Sequence, residues 1–357
     1  MRAFVPDLNE FYFGLLRSGL HPLRPFVPQG PIDAEGWQTV CRLAARQGTT
    51  GIVLDGIGTL PEALRPGREM RIRWAVQADA IAKRHRKQVE VARQAARLLA
   101  SHGIRMLVLK GIGLSAHYPV PEHRECGDVD LYLFGAQAAG DRLLCAAGAR
   151  LIDEVPKHTG LVWHGVHLEN HRNFLNVSRN REERELDALL SEILQREDAV
   201  PSADGFFTPS ATFNAIYLVR HAALHFLKEG ISARHLCDWS CFLEREGSRI
   251  DRDLLAATLK RYRMERFERL LTGAAIRCCG LPEAMPDLDP RILDRFIGEV
   301  LVYRPAPKDE SHAARFWRKL RTPGANCWRF RLLEQSLAAY YRDTLLAQRR
   351  ERFTLFR

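Results

Sequence analysis

The sequence predicts an α+β chain, in which a small mixed-sheet α/β unit of roughly 70 residues is embedded between helical N-terminal and C-terminal regions. Short apolar runs bounded by Gly and Pro, the mark of strands, fall within residues 104–170. Before and after them, apolar residues recur at helical spacing instead. A chain of 357 residues, 46% hydrophobic and 27% charged, has enough apolar surface for two or three domains or subdomains and no mark of disorder.

Residues 1–101 read as helical and close on a long helix over 74–101, where Val89, Ala92, Ala96 and Leu99 share one face and Gly103 marks the stop. The basic run Lys83-Arg84-His85-Arg86-Lys87 within it reads as a solvated face. An α/β core is expected over 102–178. It begins with a strand at 104–109 and a glycine turn, then a short helix stopped by Pro119 and Pro121. Next come a strand at 129–134, an Ala-rich helix at 136–147, a strand at 149–155 and an extended pair at 161–164 and 166–170. A helical domain over 179–310 carries helices near 210–228, 233–246, 252–262, 264–278 and 290–302. A basic helical tail over 311–357 ends in a helix near 330–350, where Leu333, Leu337, Tyr341 and Leu345 form an i, i+4 stripe.

No apolar stretch reaches the roughly 18 residues that span a bilayer, and the start lacks a signal-peptide core, so the expected compartment is the cytoplasm. Eight scattered cysteines without a C-x-x-C pair suggest reduced thiols, not a zinc ribbon or a disulfide framework. The formal charge of +10 is uneven: residues 311–357 hold 11 Lys/Arg against 3 Asp/Glu, a net of +8. Such an excess attracts phosphate, although solvated arginines on a terminal helix account for it equally simply.

Gly111-Ile112-Gly113-Leu114-Ser115-Ala116 has the form G-x-G-x-x-A, the dinucleotide fingerprint. Its surroundings are wrong for that role, because Pro119 and Pro121 cut short the crossover helix. Asp128 and Asp130 also stand at the start of the next strand, where the fingerprint requires an acid at its end. Asp128-Val129-Asp130 suits metal-assisted phosphoryl chemistry better. Side chains at i and i+2 share a strand face, so both carboxylates converge on Mg²⁺ or Mn²⁺ while Val129 turns to the core. A solvated strand end is the plain alternative for D-x-D alone. Lys110-Gly111 at the strand-to-helix turn and Arg124 offer cations and backbone N–H groups to phosphates, and Glu169 offers a third carboxylate on an alternating strand.

At these residues the sequence resembles the nucleotidyltransferase superfamily that shares its palm with DNA polymerase beta. More closely, it resembles the bacterial family of uncharacterised nucleotidyltransferases: an apolar strand with Lys110-Gly111, Tyr118-Pro119, Arg124, and Gly127-Asp128-Val129-Asp130-Leu131. Glu169 followed by His171 matches the family's next feature, and His221, His225 and Asp238 match its later helical elements. Two departures stand out: Lys-Gly replaces the superfamily's Gly-Ser or Gly-Gly, and Glu169 is followed by Asn170. The resemblance implies a nucleotidyltransferase palm and transfer of a nucleoside monophosphate from an NTP to a hydroxyl acceptor, with release of pyrophosphate. Asp128, Asp130 and Glu169 would be the catalytic metal ligands, with Glu169 binding metal or helping to deprotonate the acceptor. Lys110, Gly111 and Arg124 would bind the nucleotide's phosphates. The acceptor, whether protein, small molecule or nucleic acid, stays open, as does an inactive nucleotide- or nucleic-acid-binding accessory role for the same fold.

His221 and His225 stand at i, i+4 on one helical face. With Asp238 they are hydrogen-bonded structural residues, metal ligands or the acceptor side of the cleft. Phe316-Trp317-Arg318-Lys319 and Trp328-Arg329-Phe330-Arg331 interleave aromatics with cations, a pattern shared by single-strand nucleic-acid binders and by helices that turn their aromatics inward.

Overall fold

A computed structural model describes residues 7–197, 199–304, 324 and 326–354. It is an α+β fold with one seven-stranded mixed sheet. The chain opens with α1 (Leu8–Leu20), α2 (Ala34–Gln47), α3 (Thr50–Thr59) and the long α4 (Arg68–Ala100). The α/β unit follows as β1 (Leu107–Val108), α5 (Ile112–Ser115), β2 (Val129–Tyr132), α6 (Gln137–Ala146), β3 (Arg150–Glu154), β4 (His158–Trp163) and β5 (Val166–His171). After α7 (Arg181–Arg196) a short hairpin, β6 (Val200–Pro201) and β7 (Phe207–Thr208), returns to the sheet. The remaining helices are α8 (Ala211–Lys228), α9 (Ala233–Glu246), α10 (Arg252–Arg261), α11 (Glu265–Cys279), α12 (Pro290–Val302), α13 (Cys327–Leu332) and α14 (Leu337–Thr354).

The sheet order is β3-β4-β5-β2-β1-β7-β6, with β2 parallel to β5 and β1 parallel to β7. Alternation gives the sheet two unlike faces. Val108, Val129, Leu131, Leu161 and Leu168 turn to one side and bury against Val91, Ala92, Ala95, Ala96 and Leu99 of α4 and Leu144 of α6. That is the small core of the α/β unit. On the other face, Leu107, Leu109 and Phe174 join a much larger core built by the helices of both halves of the chain. In it, Trp37 and Trp74 from the N-terminal helices share one cluster with Trp239, Phe267 and Phe296 from the C-terminal ones. The first three helices and the start of α4 therefore share one core with the C-terminal helices, while the rest of α4 covers the other face of the α/β unit. Close packing of α1 on α3 needs two glycines: a Cβ on Gly19 would stand 1.9 Å from Ile52 O, and one on Gly56 the same distance from Leu15 O.

Several expectations need revision. The helix expected over 330–350 is two helices, broken where Glu334 adopts a left-handed φ of 49°. The break splits its apolar stripe: Leu333 is fully buried and Leu345 is 51% exposed. The basic run in α4 is not uniformly solvated, because His85 is buried within it while Lys83 and Arg86 stay outside. Around Trp328 the aromatics do turn inward, with Phe330 buried and Arg329 bonded to Glu299 and to Phe226 O. Phe316-Trp317-Arg318-Lys319 lies outside the described residues. Among the described residues, no helix is long and apolar enough to cross a membrane.

Candidate active site

Two strands set the geometry of the carboxylates. Asp128 precedes β2 and Asp130 lies within it, so both point to the face opposite Val129, which is fully buried in the α/β core. Parallel pairing then places Glu169 of β5 directly beside Asp130. One carboxylate oxygen from each of Asp128, Asp130 and Glu169 lies within 4.8 Å of the others. The loop that carries Asp128 is tied to α4 by Gln88 Nε2, which donates to Gly127 O at 2.9 Å. Leu109 N donates to Asp130 O at 3.1 Å and extends the β1–β2 ladder to the edge of the turn.

Gly111 forms that turn at φ 63° and ψ −117°, a conformation open in practice only to glycine. A Cβ there would also stand 3.3 Å from Asp128 O, so glycine lets the Lys110 turn lie against the Asp128 loop. The second glycine of the apparent fingerprint, Gly113, packs instead against Val108 O, 3.0 Å from where its Cβ would be.

Lys110 Nζ donates to Asp130 Oδ2 at 2.6 Å. From the other side, His171 Nε2 lies 3.0 Å from Asp130 Oδ1 and 3.4 Å from Glu169 Oε2. Burial opposes ionisation of Asp130, but Lys110 and His171 outweigh it and hold the carboxyl well below the usual carboxylate range. Burial also works against the Lys110 ammonium, and the charges of Asp130 and Asp128 overcome it and raise the group. For Asp128 the balance tips the other way: burial, reinforced by Asp130 and Glu169, raises its carboxyl despite Lys110. Three converging carboxylates, one of them raised by its acidic neighbours, make a site that gains from an added cation. The all-oxygen donor set fits a hard divalent ion.

Arg124 is buried and does not reach freely. Its Nε donates to Asp238 Oδ1 at 3.0 Å and its Nη2 to Oδ2 at 2.8 Å, while Tyr118 OH donates to the same Oδ1 at 2.6 Å. This two-point fork fastens the loop before β2 to α9. Asp238 thus belongs to the site as the partner of Arg124.

A cavity of about 400 Å³ lies between this face of the sheet and helices α8 and α9. Lys110, Gly111, Arg124, Asp128, Asp130, Glu169, His221, His225 and Asp238 all line it. His171 sits behind the wall, where it braces two of the carboxylates. His221 and His225 are neighbours, with ring centroids 4.5 Å apart, and face the cavity opposite the acids. Burial, then His225 and Lys110, hold His221 well below the usual imidazole range, which favours its neutral form. Lys157, Arg234 and His235 line the cavity too, although the sequence alone did not single them out. Lys157 stands in the turn before β4, and Arg234 and His235 in the first turn of α9. The signal was one helical turn away in α9: Arg234 and His235 precede Asp238 by four and three residues and share its face.

No curated protein and no solved structure matches the chain. A family model described as an uncharacterised nucleotidyltransferase matches residues 33–280, which takes in the palm, the acids on both strands and the α8–α9 wall of the cavity. The chain belongs to this uncharacterised nucleotidyltransferase family.

Proposed function

We propose that this chain moves a nucleoside monophosphate from an NTP to a hydroxyl-bearing acceptor and releases pyrophosphate, using Mg²⁺ or Mn²⁺ held by Asp128, Asp130 and Glu169. The observation that carries this reading is the pairing of Asp130 with Glu169 two residues after Asp128, which gathers three carboxylates on the wall of a cavity that cations also line. The same pattern, a D-x-D strand beside a parallel strand bearing the third acid, supports membership of the DNA polymerase beta-like superfamily. Family membership supports nucleotidyl transfer in general.

A divalent ion bound by the three acids supplies Lewis acidity and neutralises charge developing on phosphate oxygens. The chain's own groups do the rest. Lys110 exchanges its contact with Asp130 for a phosphate oxygen, and Gly111 lets the nucleotide approach the turn without a side chain in the way. Arg124, fixed by Asp238, contributes positive charge to the wall while keeping its position. Glu169 acts as a metal ligand more than as a base: burial alone would raise its carboxyl, but His171, His158 and Lys110 bring it down to about 2. His221 and His225 on the opposite wall form the acceptor side.

The position of the label tests the reaction class. With an α-labelled NTP and Mg²⁺ or Mn²⁺, the label should pass to an acceptor in a cell extract or to the protein itself. A γ-labelled NTP should give labelled pyrophosphate. Transfer of the γ-label to an acceptor would identify a phosphotransferase instead. NTP binding without any transfer would leave the accessory-protein reading standing in place of this one.

A further inference from the structure

We propose that His158, Glu169 and His171 form a second cation site, selective for a borderline metal such as Zn²⁺, which shares Glu169 with the three-carboxylate site and adds two imidazoles to it. The site stands on these three side chains whether or not the chain transfers nucleotides. His158 and His171 are paired residues on the adjacent antiparallel strands β4 and β5, and both turn to the face that carries Glu169. One ligand atom from each of the three lies within 4.8 Å of the others.

The separations are those of a coordination shell. Zinc bonds of about 2.0–2.1 Å at tetrahedral angles put neighbouring ligand atoms about 3.3–3.4 Å apart. Glu169 Oε2 lies 3.4 Å from His171 Nε2 and 3.5 Å from His158 Nδ1. The latter nitrogen is buried and makes no hydrogen bond among the described residues, so a polar atom is left facing the carboxylate with nothing to satisfy it. A metal ion satisfies it. Two imidazoles and one carboxylate select zinc-like ions over Mg²⁺, which takes oxygen ligands, and three protein ligands leave a fourth position for solvent. Coordination replaces the contact of His171 Nε2 with Asp130 Oδ1, 3.0 Å away, while on the far side Asn173 O lies 3.3 Å from Nδ1 and orients the ring, a familiar arrangement behind metal-bound histidines. Glu169 belongs to both donor sets.

The test uses the full chain stripped of metal by a chelator and then titrated with Zn²⁺ or Co²⁺ in the presence of excess Mg²⁺. One equivalent should bind, and the Co²⁺ form should show visible d–d bands without thiolate charge transfer, which excludes the eight cysteines as ligands. His158→Ala should weaken Zn²⁺ binding by at least about 100-fold, since even residues behind the ligands cost about 10–100-fold. His167→Ala, an exposed histidine on the same strand, should bind as the wild type does. Melting of the metal-free proteins checks that the variant is folded, and His158→Gln replaces His158→Ala if it is not. Equal Zn²⁺ affinity in the wild type and the folded His158 variant would overturn the proposal, as would failure of the wild type to take up zinc against Mg²⁺.

Discussion

The residues of this site are tuned by one another more than by their own chemistry. Asp128 and Asp130 are the same residue type two positions apart, yet Asp130 is pinned as an anion between Lys110 and His171 while Asp128 is raised by burial and by its two acidic neighbours. The D-x-D spacing made both visible in the sequence, because i and i+2 on a strand must share a face. That asymmetry was not visible, since His171 comes from another strand and approaches only through the β2–β5 pairing. Gly111 was legible as part of a glycine turn, but the requirement for glycine rests on φ 63° and on contact with Asp128 O. Gly111→Ala should therefore destabilise the fold by about 1–3 kcal/mol. Urea denaturation measures this, and an unchanged midpoint would show that the turn relaxes.

Elements of the palm were readable where they were long enough to show a period. β4, β5 and α6 lie near their expected positions, whereas β6 and β7 have two residues each, too few for alternation to appear. What ties these elements to the helices was hidden by sequence distance: Arg124 and Asp238 are 114 positions apart. Truncating Asp238 to Ala strands a buried guanidinium and should cost about 3–5 kcal/mol, while Tyr118→Phe, which removes one hydrogen bond to the carboxylate, should cost about 1.5–3 kcal/mol. Equal losses in the two variants would contradict this ranking. A second inter-element contact is pH-sensitive. Asp187 of α7 accepts from Leu175 N at 2.8 Å, and burial raises its carboxyl to about 6. An acid whose folded value exceeds the unfolded one, about 3.9, adds stability at low pH that is lost as pH rises through the folded value. Relative to Asp187→Asn, the wild type should thus lose stability between about pH 4 and pH 6, as read from melting temperatures across that range. A constant difference between the two proteins would show that the carboxyl is not perturbed.

For the whole molecule, the sandwiching of the palm between helices was legible only as an order along the chain. In space the N-terminal and C-terminal helices share one core, and α8 and α9 of that core form the wall opposite the acids. Lys157 enters the cavity from the α/β unit and Arg234 and His235 from α9, which is why no local pattern pointed to all three. A site assembled between the α/β unit and the C-terminal helices should report ligand binding as stability of the entire chain. The most direct measurement is the melting temperature of the wild type and of Asp130→Asn with Mg²⁺ alone, NTP alone and both together. The wild type should be stabilised strongly only by both, by about 2.7 kcal/mol at 100 times the dissociation constant, and Asp130→Asn should lose that cooperative gain. Absence of Mg²⁺-dependent stabilisation in the wild type, or its persistence in Asp130→Asn, would contradict a cation-assisted nucleotide site at Asp128, Asp130 and Glu169.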